Sequence, residues 1–388
     1  RLLITISGGL DSVVLTHLCK KAKLNISLAH CNFNLRDKES NGDEAFVLNL
    51  AQKLDLELFT QHFDTTAYAE KNKLSIQMAA RELRYNWFQE LANQLGFDYV
   101  FTAHHADDNL ETFLINLTRG TGLDGLTGIP EINGNIVRPL LKFSRESILS
   151  FAEQQKIEWR EDSSNASTKY LRNKLRHEII PKLKETNSQL LQNFDNTLMH
   201  LNDTSDIVEE SVNAVLKRAI VAVNNDEITY NVSEFTKLKN PKAYLVEVFK
   251  PFGFTAFGDI QNLLTAQSGK QIFSETHRLI KDRQHILLAP LLSEEKVLIT
   301  ILKEDKDKSI PNGILFFDTV DALEKFSKNE IYIDVETLKF PLIVREWKEG
   351  DYFHPLGGNG KKKLSKYFKD EKLSLLDKEK CLLLCSAN

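Results

Sequence analysis

Ser7-Gly8-Gly9-Leu10-Asp11-Ser12 follows the apolar run Leu2-Leu3-Ile4-Thr5-Ile6 and precedes Val13-Val14-Leu15-Thr16-His17-Leu18. The order is strand, tight Gly-Gly turn, helix. Two glycines let the backbone bend sharply and come close to a ligand. The helix that starts there turns free amides and the positive end of its dipole toward an anion. Ser7 and Ser12 add hydroxyl donors, and Asp11 is a candidate Mg²⁺ ligand bridged to phosphate oxygens. Ser7, Gly8, Gly9, Leu10, Asp11 and Ser12 thus read as a phosphate cradle. It is not the nucleotide loop that ends in Gly-Lys-Ser/Thr, because no lysine stands in that place. An ordinary turn ahead of a core helix is the plainer alternative.

Working outward, strands are expected at 2–6, 26–30, 56–62 and 98–103, with helices near 11–22, 39–54 and 75–95, the last stopped by Gly96. Such β-α alternation implies a parallel, Rossmann-like sheet covered on both faces, with ligands outside the carboxyl ends of its strands. Ser7–Ser12, His30 and His104 all follow strands and should gather on one edge. Beyond Pro181 the texture changes. Residues 188–223 read as long helices, and Lys296–Leu302 alternates apolar and polar residues. The expected division is an adenylation domain over 1–186, a mostly helical middle domain over 187–293 and a small α+β module over 294–388. The charged stretch 303–309 reads as a surface loop, and Cys381-Leu-Leu-Leu-Cys385 as a buried apolar strand.

At 388 residues and 42% hydrophobic, the chain has ample material for folded cores, and no apolar run nears the ~20 residues that span a bilayer. Four scattered cysteines form no C-x-x-C pair, which weighs against zinc and iron–sulfur sites and fits a reducing cytoplasm. A net charge of −4 gives no general support for nucleic-acid binding, so any basic surface must be local. Two local concentrations exist. Lys169–Lys184 includes Arg172, Lys174, Arg176, Lys182 and Lys184 against Glu178 alone, and Lys361–Lys372 holds six lysines. Either run could equally be a solvated face. The first is expected on a helix that begins near Tyr170 and stops before Pro181, offering phosphate contacts with little base specificity.

Thr102-Ala103-His104-His105-Ala106-Asp107-Asp108-Asn109-Leu110-Glu111-Thr112 is the second informative string. Its histidines leave a strand and its acids open a helix, where the dipole favours them. Asp108 and Glu111 are three apart and share a helix face, so they could grip an ammonium or a metal together. Helix capping is the alternative. Adjacent histidines rarely point the same way, which weighs against zinc. Arg81 and Arg84 share a face on the long helix and could contact phosphate or a carboxylate, or simply pair with Glu82 or Glu90.

The Ser7–Ser12 loop resembles the pyrophosphate loop of the N-type ATP pyrophosphatases. Further strings follow in order: Ala29-His30-Cys31-Asn32-Phe33-Asn34-Leu35-Arg36, Ala80-Arg81-Glu82-Leu83-Arg84-Tyr85, His104–Thr112 and Leu117-Thr118-Arg119-Gly120-Thr121-Gly122. Val137-Arg138-Pro139-Leu140-Leu141, Glu161-Asp162-Ser163-Ser164-Asn165 and Tyr170-Leu171-Arg172-Asn173 complete the set, with Arg345-Glu346-Trp347-Lys348-Glu349-Gly350-Asp351 far downstream. Together they resemble the tRNA(Ile)-lysidine synthetases of the PP-loop superfamily. Phe33 departs from the pattern, standing where many members carry histidine. The family's C-terminal module usually runs further, so a truncated copy is expected.

The resemblance implies an ATP-dependent ligase. It adenylates C2 of the wobble cytidine in CAU-anticodon tRNA(Ile), then joins the lysine ε-amine to form lysidine, releasing AMP and pyrophosphate. Reading shifts from AUG to AUA. ATP would take Ser7–Ser12 and His30, with Mg²⁺ at Asp11. Asp108 and Glu111, helped by His104 or His105, would hold and deprotonate lysine. Arg81, Arg84 and Arg119 would contact lysine or phosphate, Arg119 on a loop over the site. Arg172, Asn173, Lys174, Arg176, Arg345, Lys361, Lys362, Lys363 and Lys366 would hold tRNA. No membrane, zinc or iron–sulfur partner is expected, and a homodimer is possible on this reading. A sulfur-delivering tRNA thiolase, a small-molecule amidating synthetase and a silent tRNA-binding protein are the rivals.

Overall fold

The computed structural model describes residues 1–35, 38–161, 171–291, 297–320, 329–355 and 360–386. Arg36, residues 162–165, Lys169, Tyr170 and Lys296, all singled out in the sequence, lie outside the described residues. Packing divides the chain into two units, Arg1–Glu209 and Glu210–Asn388.

The first unit opens with β1 (Leu2–Thr5), α1 (Leu10–Lys21), β2 (Ile26–Asn32), α2 (Lys38–Leu54) and β3 (Leu58–His62). It continues through α3 (Thr65–Asn72), α4 (Ile76–Leu95), β4 (Tyr99–Phe101), α5 (Ala106–Thr118) and α6 (Leu123–Leu126). The hairpin β5 (Ile132–Asn133) and β6 (Ile136–Val137) precedes α7 (Arg145–Gln154), α8 (Leu171–Lys174), α9 (Ile180–Thr186) and α10 (Leu190–Ala219).

Six strands form one sheet in the order β3-β2-β1-β4-β6-β5. All neighbours are parallel except the terminal β5–β6 hairpin. β1 shows why both faces are covered. Adjacent strand residues point to opposite sides, yet Leu3 and Ile4 are both fully buried. Ile4 packs with Val13, Val14, Val47, Leu50 and Ile148 on the face covered by α1, α2 and α7. Leu3 packs with Trp87, Phe88 and Leu91 of α4 on the other. Ser75 caps α4 by accepting from the Met78 N–H, and Gly96 ends it in the left-handed region at φ +66°. The doubly covered parallel sheet agrees with the sequence reading.

Several details of the sequence reading need correction. The basic helix does not stop before Pro181. A π turn at Leu175–Ile179 joins α8 to α9, and Pro181 falls in the first turn of α9. Residues 188–223 are one long helix ending at Ala219, followed by a strand. The stretch 303–309 is not all loop, since a strand starts at Asp307.

The second unit continues with β7 (Ile220–Asn224), β8 (Glu227–Asn231), α11 (Val232–Thr236), α12 (Pro241–Phe249), α13 (Phe257–Leu263), β9 (Gln271–Phe273), β10 (His277–Asp282) and β11 (His285–Pro290). These strands form an antiparallel sheet, β7-β8-β11-β10-β9. Its core is Tyr230, Phe235, Leu245, Phe249, Ile260, Leu279 and Leu288. Next come β12 (Leu298–Ile301), β13 (Asp307–Ile310), β14 (Gly313–Phe316), β15 (Leu342–Glu346), β16 (Tyr352–Phe353), β17 (Lys362–Lys363), α14 (Leu364–Asp370), α15 (Leu375–Glu379) and β18 (Leu382–Ser386). Among the described residues β18 pairs only with β15, at the edge of a three-stranded sheet. It is therefore only half-buried, not the buried strand its apolar letters announce. The Arg278 guanidinium of β10 meets Glu379 of α15 through Nη1–Oε1 at 3.1 Å and Nη2–Oε2 at 2.5 Å.

Candidate active site

The turn between β1 and α1 is built as a cradle. Gly8 adopts φ +91°, and a Cβ there would stand 3.4 Å from the Phe46 ring and 3.5 Å from Val47. Gly9 is the N-cap of α1 with no side-chain cap, so the first amides of the helix have no partner inside it. Ser12 Oγ donates to the Gly9 carbonyl at 3.0 Å and accepts from the Ser7 N–H at 3.2 Å. The Gly8 carbonyl accepts from the Arg160 N–H at 3.0 Å, and the Arg160 guanidinium meets Asp43 at 2.7 Å. These bonds fix the turn from behind and leave its helix-facing amides toward the cleft.

That cleft measures about 980 Å³. Ser7, Gly9, Leu10, Asp11, Ser12, His30, Arg84, His104, Asp108, Arg172 and Arg176 all line it. They come from the ends of β1, β2 and β4 and from the helices that follow, the edge where ligands of such sheets bind. His30 is buried with Nδ1 2.9 Å from the Ile6 carbonyl, and burial holds its pKa below the ordinary value. Burial likewise pushes His104 down to about 4, leaving a neutral ring bonded to Thr102 Oγ1 at 2.9 Å.

His105 caps α5. Its Nδ1 faces the Asp108 N–H at 3.4 Å, while its own N–H donates to Asp108 Oδ2 at 3.2 Å. The capping alternative weighed for the acids therefore has substance, with His105 and Asp108 as the reciprocal pair. His105 Nε2 also stands 3.3 Å from Asp108 and 3.7 Å from Asp11. Burial raises the Asp11 pKa, and Asp11 Oδ1 is enclosed with no hydrogen-bond partner.

The acids of α5 meet the basic helix. Arg176 Nε donates to Glu111 Oε1 at 2.5 Å, and its Nη2 reaches Asp108 Oδ1 at 2.8 Å and Glu111 Oε2 at 2.9 Å. Arg172 Nε lies 3.2 Å from Glu111 Oε2, and its Nη2 donates to Thr112 Oγ1 at 2.6 Å. Glu111 is fully buried, and burial keeps its pKa raised in spite of Arg176. Arg172 and Arg176, expected to face RNA phosphates, here share the acids. Lys184 of α9 bonds Asp107 at 2.7 Å, and Asp107 also accepts from the Arg145 N–H at 2.9 Å. Burial alone would raise the Asp107 pKa, but these two donors hold it down.

The remaining residues, Arg84 apart, stand outside the cleft lining. Arg84 lies over the Phe33 ring at 5.2 Å and Arg81 over Tyr85 at 4.9 Å; among the described residues neither makes an ion pair with Glu82 or Glu90. Arg119 is the exposed C-cap of α5, at the opposite end from Asp108. Asn173 and Lys174 are on α8 outside the cleft lining. In the second unit, Arg345 makes a two-point pair with Asp351, both contacts at 2.8 Å. Lys362 bonds Asp370 at 2.8 Å, while Lys361, Lys363 and Lys366 are exposed. Sequence reasoning missed Arg145 and Arg160, both of which line the cleft. Neither lies in a basic run, so only the three-dimensional edge reveals them.

The PP-loop domain family matches residues 1–183, and the TilS substrate binding domain family matches residues 223–291. A tRNA(Ile)-lysidine synthase of Parabacteroides distasonis is 40% identical over the whole of this chain and 88% of its own. One from Bacteroides thetaiotaomicron is 38% identical over 99% of this chain and 88% of its own. The Bacillus subtilis enzyme of that name is 29% identical over 100% of this chain and 87% of its own. With the phosphate turn, the acids of α5 and these full-length matches all in place, the chain belongs to the tRNA(Ile)-lysidine synthase family.

Proposed function

We propose that this chain is an ATP-dependent ligase that converts the wobble cytidine of CAU-anticodon tRNA(Ile) to lysidine. The observation that carries the reading is the meeting, in one cleft, of a glycine phosphate turn with Asp11 and Asp108, the latter tied through Arg176 to the buried Glu111. The triphosphate of ATP lies on the amides after Gly9, with its base toward His30. The C2 carbonyl oxygen of cytidine attacks the α-phosphorus, and pyrophosphate leaves. A lysine ε-ammonium loses its proton to a carboxylate, and the freed amine attacks C2, expelling AMP with the former carbonyl oxygen. Asp108, which lines the cleft, suits the role of holding and deprotonating the ammonium, and the buried Glu111, whose proton affinity burial raises, backs it through Arg176. Arg172 and Arg176 already share the acids, so an incoming ammonium joins a charge network rather than two bare carboxylates.

Mg²⁺ fits this site. Asp11 offers an enclosed oxygen with no protein partner, beside the turn that takes the phosphates. Bound there, the ion offsets charge on the leaving group. Among the described residues no group of three or more His, Cys, Asp or Glu could hold a metal by itself. The neutral His104 orients by its Thr102 bond and accepts rather than repels a cation.

The division into an adenylation domain over 1–186, a middle domain over 187–293 and a C-terminal module over 294–388 belongs to the same proposal. It is supported by family matches over 1–183 and 223–291. The test is transfer of labelled lysine to a CAU-anticodon isoleucine tRNA transcript. Label that appears only with ATP supports the reading. AMP release without label on the RNA removes it.

A further inference from the structure

The pair of short strands β16 and β17 separates its side chains into two sets. Tyr352 pairs with Lys363 and Phe353 with Lys362 across the ladder. Side chains alternate along each strand, so Phe353 and Lys362 share one face and Tyr352 and Lys363 the other. The first face is satisfied from within. Phe353 packs edge-on against Tyr367 at 5.2 Å, and Lys362 lies over Tyr367 at 5.3 Å while bonded to Asp370.

The second face is different. Tyr352 is 55% exposed, and its ring packs edge-on, at 5.8 Å, against the exposed His354. Lys361 stands over the Tyr352 ring at 4.7 Å. Among the described residues neither Lys361 nor Lys363 makes an ion pair. Two open rings are thus interleaved with two positive charges. Such a surface suits a flat, π-faced group joined to an anion.

We infer that Tyr352, His354, Lys361 and Lys363 form a stacking platform for an unpaired RNA nucleotide, the base lying on the tyrosine ring and its phosphate between the lysines. An acidic peptide would satisfy the lysines but leave both rings exposed to water. A duplex would meet the lysines but keep its bases out of reach. The inference rests on the reading of the chain as a tRNA-modifying enzyme. It adds a contact that holds an unpaired part of the RNA by stacking.

The test uses the full chain and a single-stranded RNA hexamer carrying 2-aminopurine, with the same sequence as a duplex for comparison. Stacking quenches the fluorophore. Tyr352→Ala should weaken hexamer binding roughly ten-fold or more and abolish quenching, with Tyr352→Phe like wild type. Lys361→Ala should lower the slope of log affinity against log salt by about 0.7, the single-strand value for one phosphate. Thermal melts establish that each variant is folded. Hexamer binding and quenching unchanged in Tyr352→Ala overturn the platform, as does equal tyrosine dependence with the duplex or with an acidic peptide. Lysine transfer to tRNA by wild type is measured alongside. If that is intact while the platform fails, the enzyme reading survives alone. If wild type neither transfers lysine nor binds tRNA, both fall.

Discussion

Arg176 lies across Glu111, Nε to Oε1 at 2.5 Å and Nη2 to Oε2 at 2.9 Å, and extends the same Nη2 to Asp108 at 2.8 Å. A fork of donors matched to a carboxylate is the strong form of ion pair. Glu111 is fully buried, so the guanidinium compensates a charge that water cannot reach. The π turn at Leu175–Ile179 helps to aim it. That local rewinding changes which residues of 171–186 face α5. The bond also makes the closing helix of the cleft depend on the acids it covers.

Removing the guanidinium leaves a buried acid with only Arg172 near it. Arg176→Ala should therefore destabilise the fold, by at most about 3 kcal/mol because Arg172 remains and Glu111 can take up a proton. Glu111→Gln introduced into that variant should recover part of the loss, since it removes the uncompensated charge. Denaturant melts of the single and double variants measure the coupling. Equal stability of Arg176→Ala and wild type would mean the pair contributes nothing. Lysine transfer should fall in both single variants.

This pair also marks where sequence reading stops. The turn at Ser7–Ser12, the β-α order and the acids of α5 were legible because each is local: a glycine pattern, a periodicity, a first helical turn. Arg172 and Arg176 were legible only as members of a basic run, which reads as an outward, RNA-facing surface. Glu111 lies 65 residues before Arg176, and no local rule joins them. The same holds for Arg145 and Arg160, which reach the cleft by the folding of α7 and of the segment after it. β5 and β6, two residues each, were too short to show any period. Pro181 misled for a different reason, since a proline can mark the first turn of a helix as readily as its end.

Gly8 carries the strain argument for the phosphate turn. Its φ of +91° disfavours any L side chain, and its Cβ position is in contact with Phe46 and Val47. Gly8→Ala should cost about 1 to 3 kcal/mol and shift the turn that presents the amides. ATP affinity should fall more than tRNA affinity, because the basic surfaces are untouched. Calorimetric titration with ATP and a filter assay with tRNA separate the two. An equal fall in both would point to general unfolding instead.

Asp11 presents an opposite balance of stability and function. Its Oδ1 is enclosed without a partner, a disposition that costs free energy in the empty fold. Asp11→Asn should melt no lower than wild type when neither ATP nor Mg²⁺ is present. Affinity for ATP with Mg²⁺ should nevertheless fall about ten-fold or more, the loss of one charge-assisted contact of about 1.5 to 3 kcal/mol. A melt lowered by several degrees in the ligand-free variant would show that Asp11 is structural. Unchanged ATP affinity would remove it from the site.

In the second unit, Arg345 and Asp351 make a pH-dependent clasp. The two hydrogen bonds from Arg345 hold the Asp351 pKa down to about 2, against burial that opposes them. A depressed carboxylate binds fewer protons folded than unfolded, so its stabilisation is full above the unfolded value near 3.8. It is lost as pH falls from about 4 to about 2. Asp351→Asn should cost about 1.5 kcal/mol at pH 7, within the range for bonds to a charged group. The difference from wild type should shrink through the same pH window and vanish at its foot. Chemical denaturation followed by the near-ultraviolet signal of Trp347, which packs on Phe368 at 5.4 Å, reports on this region. A gap between the two proteins that is constant from pH 7 down to pH 2 would mean that the Arg345 bonds do not depend on the ionised acid.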